Sequence, residues 1–173
     1  MKSDNCFETE RLLLRPTSIE DACFILELLN TPKWIQYIGD RNIHSIEDAE
    51  CYIQKKFIPN FKKNGAGNYT IIRKSDSAKI GSCGLYDREG VDGIDLGYAF
   101  LPKYEKQGYA FEAALKIKDI AIAVFNIKTI SAITSQDNLG SQKLLDKLDF
   151  QYTELVKIPN DDENLMLYKF HSE

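Results

Sequence analysis

Between Leu101-Pro102 and a helical pattern that begins at Gly108 runs Lys103-Tyr-Glu-Lys-Gln-Gly-Tyr-Ala110, which leaves backbone N–H groups without partners at a helix start. Such amides, backed by the positive end of the helix dipole, bind phosphate. Gly108 permits close approach of a ligand, and Ala110 keeps the next position small. Taken alone, the segment reads equally as an ordinary β-to-α turn containing a glycine. A second glycine, Gly97, interrupts an apolar run, where a strand-interior glycine marks a bulge or the close approach of another chain. Metal chemistry finds no support. His44 and His171 are far apart, and Cys6, Cys23, Cys51 and Cys83 are scattered without a CxxC spacing. The cysteines read as free thiols of a reducing compartment, which predicts a cytoplasmic protein.

The elements that must position these residues follow from periodicity. Arg11-Leu-Leu-Leu-Arg15, closed by Pro16, reads as a first strand. Ser18 stands three residues before Asp21 and opens a helix with Ala22, Ile25, Leu26 and Leu29 on one face, ending near Asn30-Thr-Pro32. A second helix starts at Ser45 and carries Ala49, Tyr52, Ile53 and Phe57. Tyr69 to Arg73, Lys79 to Tyr86 and Ile94 to Leu101 form a three-stranded meander with polar turns between them. From Gly108, residues Ala110, Ala113, Ala114, Ile117, Ile120, Ala121, Val124 and Phe125 form a wide apolar helical stripe. Thr129 to Thr134 is a strand, Asn138 to Leu148 a helix, and Phe150 to Lys157 with Asn164 to Phe170 a closing pair of strands. The order β-α-α-β-β-β-α-β-α-β-β predicts an α/β (α+β) fold: a mixed, mostly antiparallel sheet with helices on both faces.

The 173 residues, 43% hydrophobic, fit one domain spanning 1–173. A formal net charge of -4 argues against nucleic acid as a partner. No stretch approaches the roughly 20 apolar residues of a membrane helix, and the first ten residues carry no apolar run. Nothing in the sequence opposes a homodimer.

With these elements assigned, the sequence resembles the GNAT superfamily of N-acetyltransferases, whose signature turn is Gln/Arg-x-x-Gly-x-Gly/Ala. Gly108 and Ala110 match its last two fixed positions. The resemblance is strongest to the branch that acetylates ribosomal-protein N-termini and related amines. Thr9-Glu-Arg-Leu-Leu-Leu-Arg-Pro16 is similar to that branch's opening strand, and Asp95-Leu-Gly-Tyr98 with Pro102 and Gly108-Tyr-Ala-Phe-Glu-Ala113 to its central block. Asn138-Leu-Gly-Ser141 with Leu148-Asp-Phe150 is similar to its closing Asn-x-x-Ser and Leu-Gly-Phe segments. Three positions depart from the pattern: Glu105 replaces Gln or Arg, Lys106 replaces a common glycine, and Asp149 replaces the glycine before Phe150.

The resemblance implies acetyl-CoA as co-substrate, no metal, and an amine acceptor that would suit an acidic groove. Its cofactor contacts map to the backbone of Tyr98 and Phe100 and to Lys106, Gln107, Gly108, Tyr109 and Ala110, with the Tyr98 and Phe100 side chains left to core packing. A bulge at Gly97 would splay two strands to admit the pantetheine arm. Asp95 falls at the position of a general base, with an exposed strand carboxylate as its other reading. Leu145 occupies the position of a proton-donating tyrosine, so Ser141 is the substitute donor or else a capping serine. Asn138 either bonds the pantetheine amide or caps its helix. Trp34, Tyr37 and the Gly39 to His44 loop would border the acceptor, although Trp34 also reads as a packing anchor. The altered turn and the missing tyrosine leave a second expectation open, a non-catalytic acyl-CoA-binding module.

Overall fold

The computed structural model describes residues 5–173; the polar start Met1 to Asp4 lies outside them. Among the described residues eight strands form one sheet in the spatial order β1-β2-β3-β4-β5-β6-β8-β7. They are β1 (Phe7–Glu8), β2 (Leu12–Pro16), β3 (Asn68–Arg73), β4 (Ala78–Asp87), β5 (Ile94–Phe100), β6 (Thr129–Thr134), β7 (Gln151–Val156) and β8 (Leu165–His171). Every neighbouring pair is antiparallel except β5 and β6.

One face of the sheet is covered by α5 (Tyr109–Ala123) and α6 (Leu139–Lys147). The apolar stripe read from the sequence is the face that α5 buries: Ala113, Ala114, Ile117, Ile120 and Ala121 join Leu85, Leu96, Ile130 and Leu145 in one core. Lys118 lies within this buried surface and is satisfied there. Its Nζ donates to the Leu148 carbonyl at 2.8 Å and sits 4.2 Å over the Phe170 ring, tying α5 to the end of α6. At that end Asp149 takes the left-handed conformation, φ 64°, that a glycine adopts most easily.

The other face carries α1 (Ala22–Leu29), α2 (Pro32–Tyr37), α3 (Ile46–Tyr52) and α4 (Ile58–Asn64). Ile25, Leu28, Trp34, Ala49, Ile53 and Phe57 form their own core with Leu101. Two features exceed the expected order. The segment after Thr31 forms α2, because the Thr31 hydroxyl accepts from the Trp34 amide and Pro32 sits where a helix tolerates proline. The second expected helix continues through a wide π turn, Ile53–Phe57, into α4. Pro59 has no N–H to donate to the turn before it, and that missing bond accounts for the widening. The short β1 was absent from the expected order, as two residues are too few to show a period.

Beneath α1 a buried polar chain crosses the sheet. Asp21, fully buried, binds Arg15 Nη2 and Lys79 Nζ, each at 2.7 Å, and accepts from the Thr70 hydroxyl at 3.0 Å. Thr70 meets Thr17, to which Asn68 donates, and the Asn68 carbonyl oxygen accepts from Ser82 and Tyr86. Burial alone would raise the Asp21 pKa, but hydrogen bonds from Arg15, Lys79 and the Ser18 amide outweigh it and hold the carboxyl below its ordinary value. Its contribution to stability is therefore present above the ordinary carboxylate pKa and is lost as pH falls through the lower folded value. Asp21→Asn is expected to cost about 2 kcal/mol in urea unfolding. That is below the cost of breaking a fully buried pair because Arg15 and Lys79 can still reach water. The loss should shrink toward zero in acid.

Candidate active site

The turn between β5 and α5 begins with a single 3-10 turn, Pro102–Tyr104, then reaches α5 through Glu105, Lys106, Gln107 and Gly108. Gly108 is the N-cap, with φ 82°, and a Cβ there would lie 3.3 Å from Arg11 Nη2. The first helical bond runs from the Glu112 amide to the Gly108 carbonyl, so the amides of Tyr109, Ala110 and Phe111 have no partner within the helix. A fifteen-residue helix thus presents open donors to whatever lies before Gly108.

The two departures in this turn have distinct explanations. Glu105 does not merely face solvent: it forms an ion pair with Lys33 of α2. Lys106 is exposed and adopts φ 58°, the left-handed conformation that explains why a glycine would serve there. Gln107 spends its side-chain amide on the Lys103 carbonyl at 2.9 Å. Tyr109 is buried, its ring 4.4 Å beneath the Arg11 guanidinium, so only its backbone is available to an anion.

Arg11 and Glu112 hold the turn in place. Arg11 Nη1 donates to the Gln107 carbonyl at 3.0 Å, and Arg11 Nε pairs with Glu112 at 2.7 Å. Glu112 also accepts from the Arg11 amide at 2.9 Å and from the Thr9 hydroxyl at 2.5 Å. Burial pushes its pKa up, but these donors win and keep it below its ordinary value. Sequence reasoning assigned these residues no role, although all three lie inside the segments that carried the resemblance.

β5 and β6 pair only at Ile94 with Ile130 and Asp95 with Ser131, then diverge. On its other side β5 stays in unbroken register with β4, from Gly81 opposite Phe100 to Asp87 opposite Ile94. The expected bulge at Gly97 is therefore absent. The glycine instead makes room for Tyr86, whose ring carbon would lie 2.9 Å from a Cβ there. The Leu101 amide donates to the Ile80 carbonyl, and this fixes the phase: alternate residues point their backbone groups at β4. Leu96, Tyr98 and Phe100 consequently turn theirs toward the open gap.

Asp95 lies where the gap closes, and it is not an exposed carboxylate but a buried one, 1% exposed. Its Oδ2 accepts from Arg88 Nε at 2.6 Å, while its Oδ1 has no hydrogen-bond partner among the described residues. Burial raises its pKa, against the opposing pull of Arg88 and, more weakly, of the nearby Ile133 amide. Desolvation works against the charge on Arg88, but the charge and hydrogen bond of Asp95, with Tyr86 and Tyr52, together outweigh it and hold Arg88 more firmly protonated. The Asp87 to Gly93 segment was read as a polar turn, and nothing in its composition distinguished Arg88.

Across the gap stands the start of α6. Asn138 caps it, its Oδ1 accepting from the Ser141 amide at 3.2 Å. The Ser141 hydroxyl meets the Tyr98 hydroxyl at 2.8 Å. Tyr98 therefore does more than pack: its polar tip joins β5 to α6, with burial raising its pKa far above the ordinary range. Leu145 is buried in the core. On the opposite side of the sheet Trp34 is buried, its Nε1 without a partner, while Tyr37 is half-buried on α2. His44 is exposed. The cleft beside α3 is not simply acidic, as Lys55 and Lys56 line it together with Asp48. Among the described residues no three His, Cys, Asp or Glu side chains gather where they could share a metal ion. No helix among them is long and apolar enough to cross a membrane.

The chain matches the family described as acetyltransferase (GNAT) domain over residues 11–151. It is similar to the uncharacterized N-acetyltransferase p20 of Bacillus licheniformis, 30% identical over 151 residues that cover 86% of this chain and 84% of the relative. An acetyltransferase from Agrobacterium tumefaciens str. C58 has the same fold, with a TM-score of 0.82 at 23% identity over 99% of this chain and 97% of that one. So does the spermidine N-acetyltransferase of Vibrio cholerae, solved with CoA and spermine, at a TM-score of 0.77 and 15% identity over 94% of this chain and 96% of that one. The family match takes in Arg11, the diverging strands, the turn before α5 and the capped helix alike, and on that ground this protein belongs to the GNAT acetyltransferases.

Proposed function

We propose that the protein moves an acetyl group from acetyl-CoA to a primary amine by direct attack within a ternary complex. The observation that carries this is the course of β5, which leads from a buried carboxylate at Asp95 along an open gap to the unpartnered amides at the start of α5. The residues fit the cofactor. Open amides of Tyr109, Ala110 and Phe111 suit a pyrophosphate, with Lys106 adding charge, and the gap-facing backbone of Tyr98 and Phe100 suits an extended amide-bearing arm. When bound, acetyl-CoA supplies an activated acyl carbon on a thiolate leaving group.

The chain's own groups then have separate tasks. Asp95 takes a proton from the incoming ammonium through an intervening water, since its own oxygens are buried, and its raised pKa makes it a stronger base than an ordinary carboxylate. The nitrogen forms a bond to the acyl carbon as the carbon–sulfur bond breaks. A gap-facing N–H of β5 meets the negative charge that builds on the carbonyl oxygen. Ser141 gives the departing sulfur its proton and regains one from the nitrogen as the amide forms, with Tyr98 fixing the orientation of the serine hydroxyl. Tyr37 borders the acceptor.

A thiolate needs little help to leave near neutral pH, so Ser141→Ala is expected to lower kcat only about threefold to tenfold, below the usual range for acid–base groups. Its Kd for CoA should be unchanged, because the affected side chain bonds Tyr98 rather than the turn. Stopped-flow thiol release with parallel calorimetry measures both. A loss of CoA affinity would mean that Ser141 serves the fold of the gap instead. Release of thiol with an amine panel separates transfer from simple acyl-CoA binding, the alternative that the buried Leu145 favours.

A further inference from the structure

Arg88 makes one contact through Nε, to Asp95, and neither of its Nη atoms has a hydrogen-bond or ion-pair partner among the described residues. The planar fork of a guanidinium that is held at one edge presents its remaining N–H groups in a fixed direction. This side chain is 28% exposed, whereas its partner is 1% exposed, so the free edge reaches the surface beside the buried carboxylate. Tyr52, the last residue of α3, lies close enough to Arg88 to act on it electrostatically. Tyr52 also lines a cleft of about 210 Å³ with Asn42, Asp48, Lys55 and Lys56. Asp48 brings one negative charge to this cleft, its carboxylate accepting from the amides of His44 and Ser45 and held ionised below its ordinary pKa by them. Lys55 and Lys56 outnumber that single carboxylate in the cleft lining, and the open edge of Arg88 adds positive charge beyond Tyr52.

We infer that Arg88 is a specificity-determining residue that binds a carboxylate on the acceptor, which makes the acceptor an amino-acid-type molecule with its amine and carboxylate a few bonds apart. This rests on the acetyl-transfer reading above. An amine one water away from Asp95 and a carboxylate on the Arg88 fork fall side by side, because one ion pair joins the two protein groups. A free amino acid satisfies both. A polypeptide N-terminus has lost its α-carboxylate to the peptide bond, and a polyamine brings a second cation toward the Arg88 guanidinium.

The test compares thiol release from acetyl-CoA with each common amino acid against the corresponding amide, with putrescine as a cationic control. Charge-assisted bonds to a guanidinium predict kcat/KM at least about tenfold higher for the acid than for the amide at the preferred side chain. In Arg88→Gln that ratio should fall to near one, and in Arg88→Lys it should survive in part. Turnover of amides or putrescine as fast as of acids overturns the inference and leaves acetyl transfer standing. Where no amine is turned over, acetyl transfer fails, and calorimetry of N-acetyl amino acids with CoA present decides the carboxylate site on its own. Binding of the acids but not of their amides upholds it. Equal binding, or none, overturns it.

Discussion

Gly108→Asp is expected to weaken CoA binding by roughly 30-fold to 1000-fold, on the order of 2–4 kcal/mol, while the protein still folds. Three effects converge at this position. The residue has φ 82°, where a side chain is strained but Asp is among the better tolerated. The new Cβ would stand 3.3 Å from Arg11 Nη2, so the guanidinium that steadies the Gln107 carbonyl must shift. The carboxylate would also lie against the open amides of α5, competing with the pyrophosphate for the same positive end. Gly108→Ala carries only the first two effects and should lose much less. Calorimetry of both variants separates charge from sterics, and equal losses would show that strain alone governs the turn.

Asp95→Asn is expected to lower kcat/KM by about 10²-fold to 10⁴-fold, the usual worth of a positioned general base. Removal of the carboxylate leaves Arg88 without its counter-charge, but that side chain is more than a quarter exposed and can turn to water, so the variant should fold. The pH profile gives the sharper readout. The base works in its charged form, so activity should be full at high pH and fall as pH drops through a pKa above the ordinary carboxylate value, since burial raises it. In the variant this acid limb should vanish, leaving only titration of the amine itself. The same limb persisting in the variant at an unchanged pKa would remove Asp95 from the mechanism.

Much of the fold was legible because its strongest signals are periodic. The stripe from Ala110 to Ala121 could bury only as one helix, and Thr129 to Thr134 matches the observed strand at both ends. The short elements were not legible. α2 depends on a Thr31 cap and a first-turn proline within six residues, too few to show a period. The π turn depends on a missing donor at Pro59 that a helical pattern conceals.

The candidate site divides along the same line. Its backbone parts could be anticipated from glycine placement and from the helix start, as at Gly108. Its side-chain parts depend on contacts distant in sequence. Glu112 meets Arg11 across 101 positions, and Tyr98 meets Ser141 across 43. Gly97 shows the limit most clearly. Its presence marked a close approach, but whether by a ligand arm, a bulge or the Tyr86 ring was settled only by the register of β4 on β5.

The most direct measurement of the central claim follows acetyl-CoA and an amine panel together, reading free thiol by absorbance and acetylated amine by mass spectrometry in the same reaction. The prediction is amine-dependent thiol release matched mole for mole by acetylated product, with both lost together in Asp95→Asn and Gly108→Asp. Tight CoA binding without amine-dependent release, across amino acids, peptides and polyamines, would contradict it.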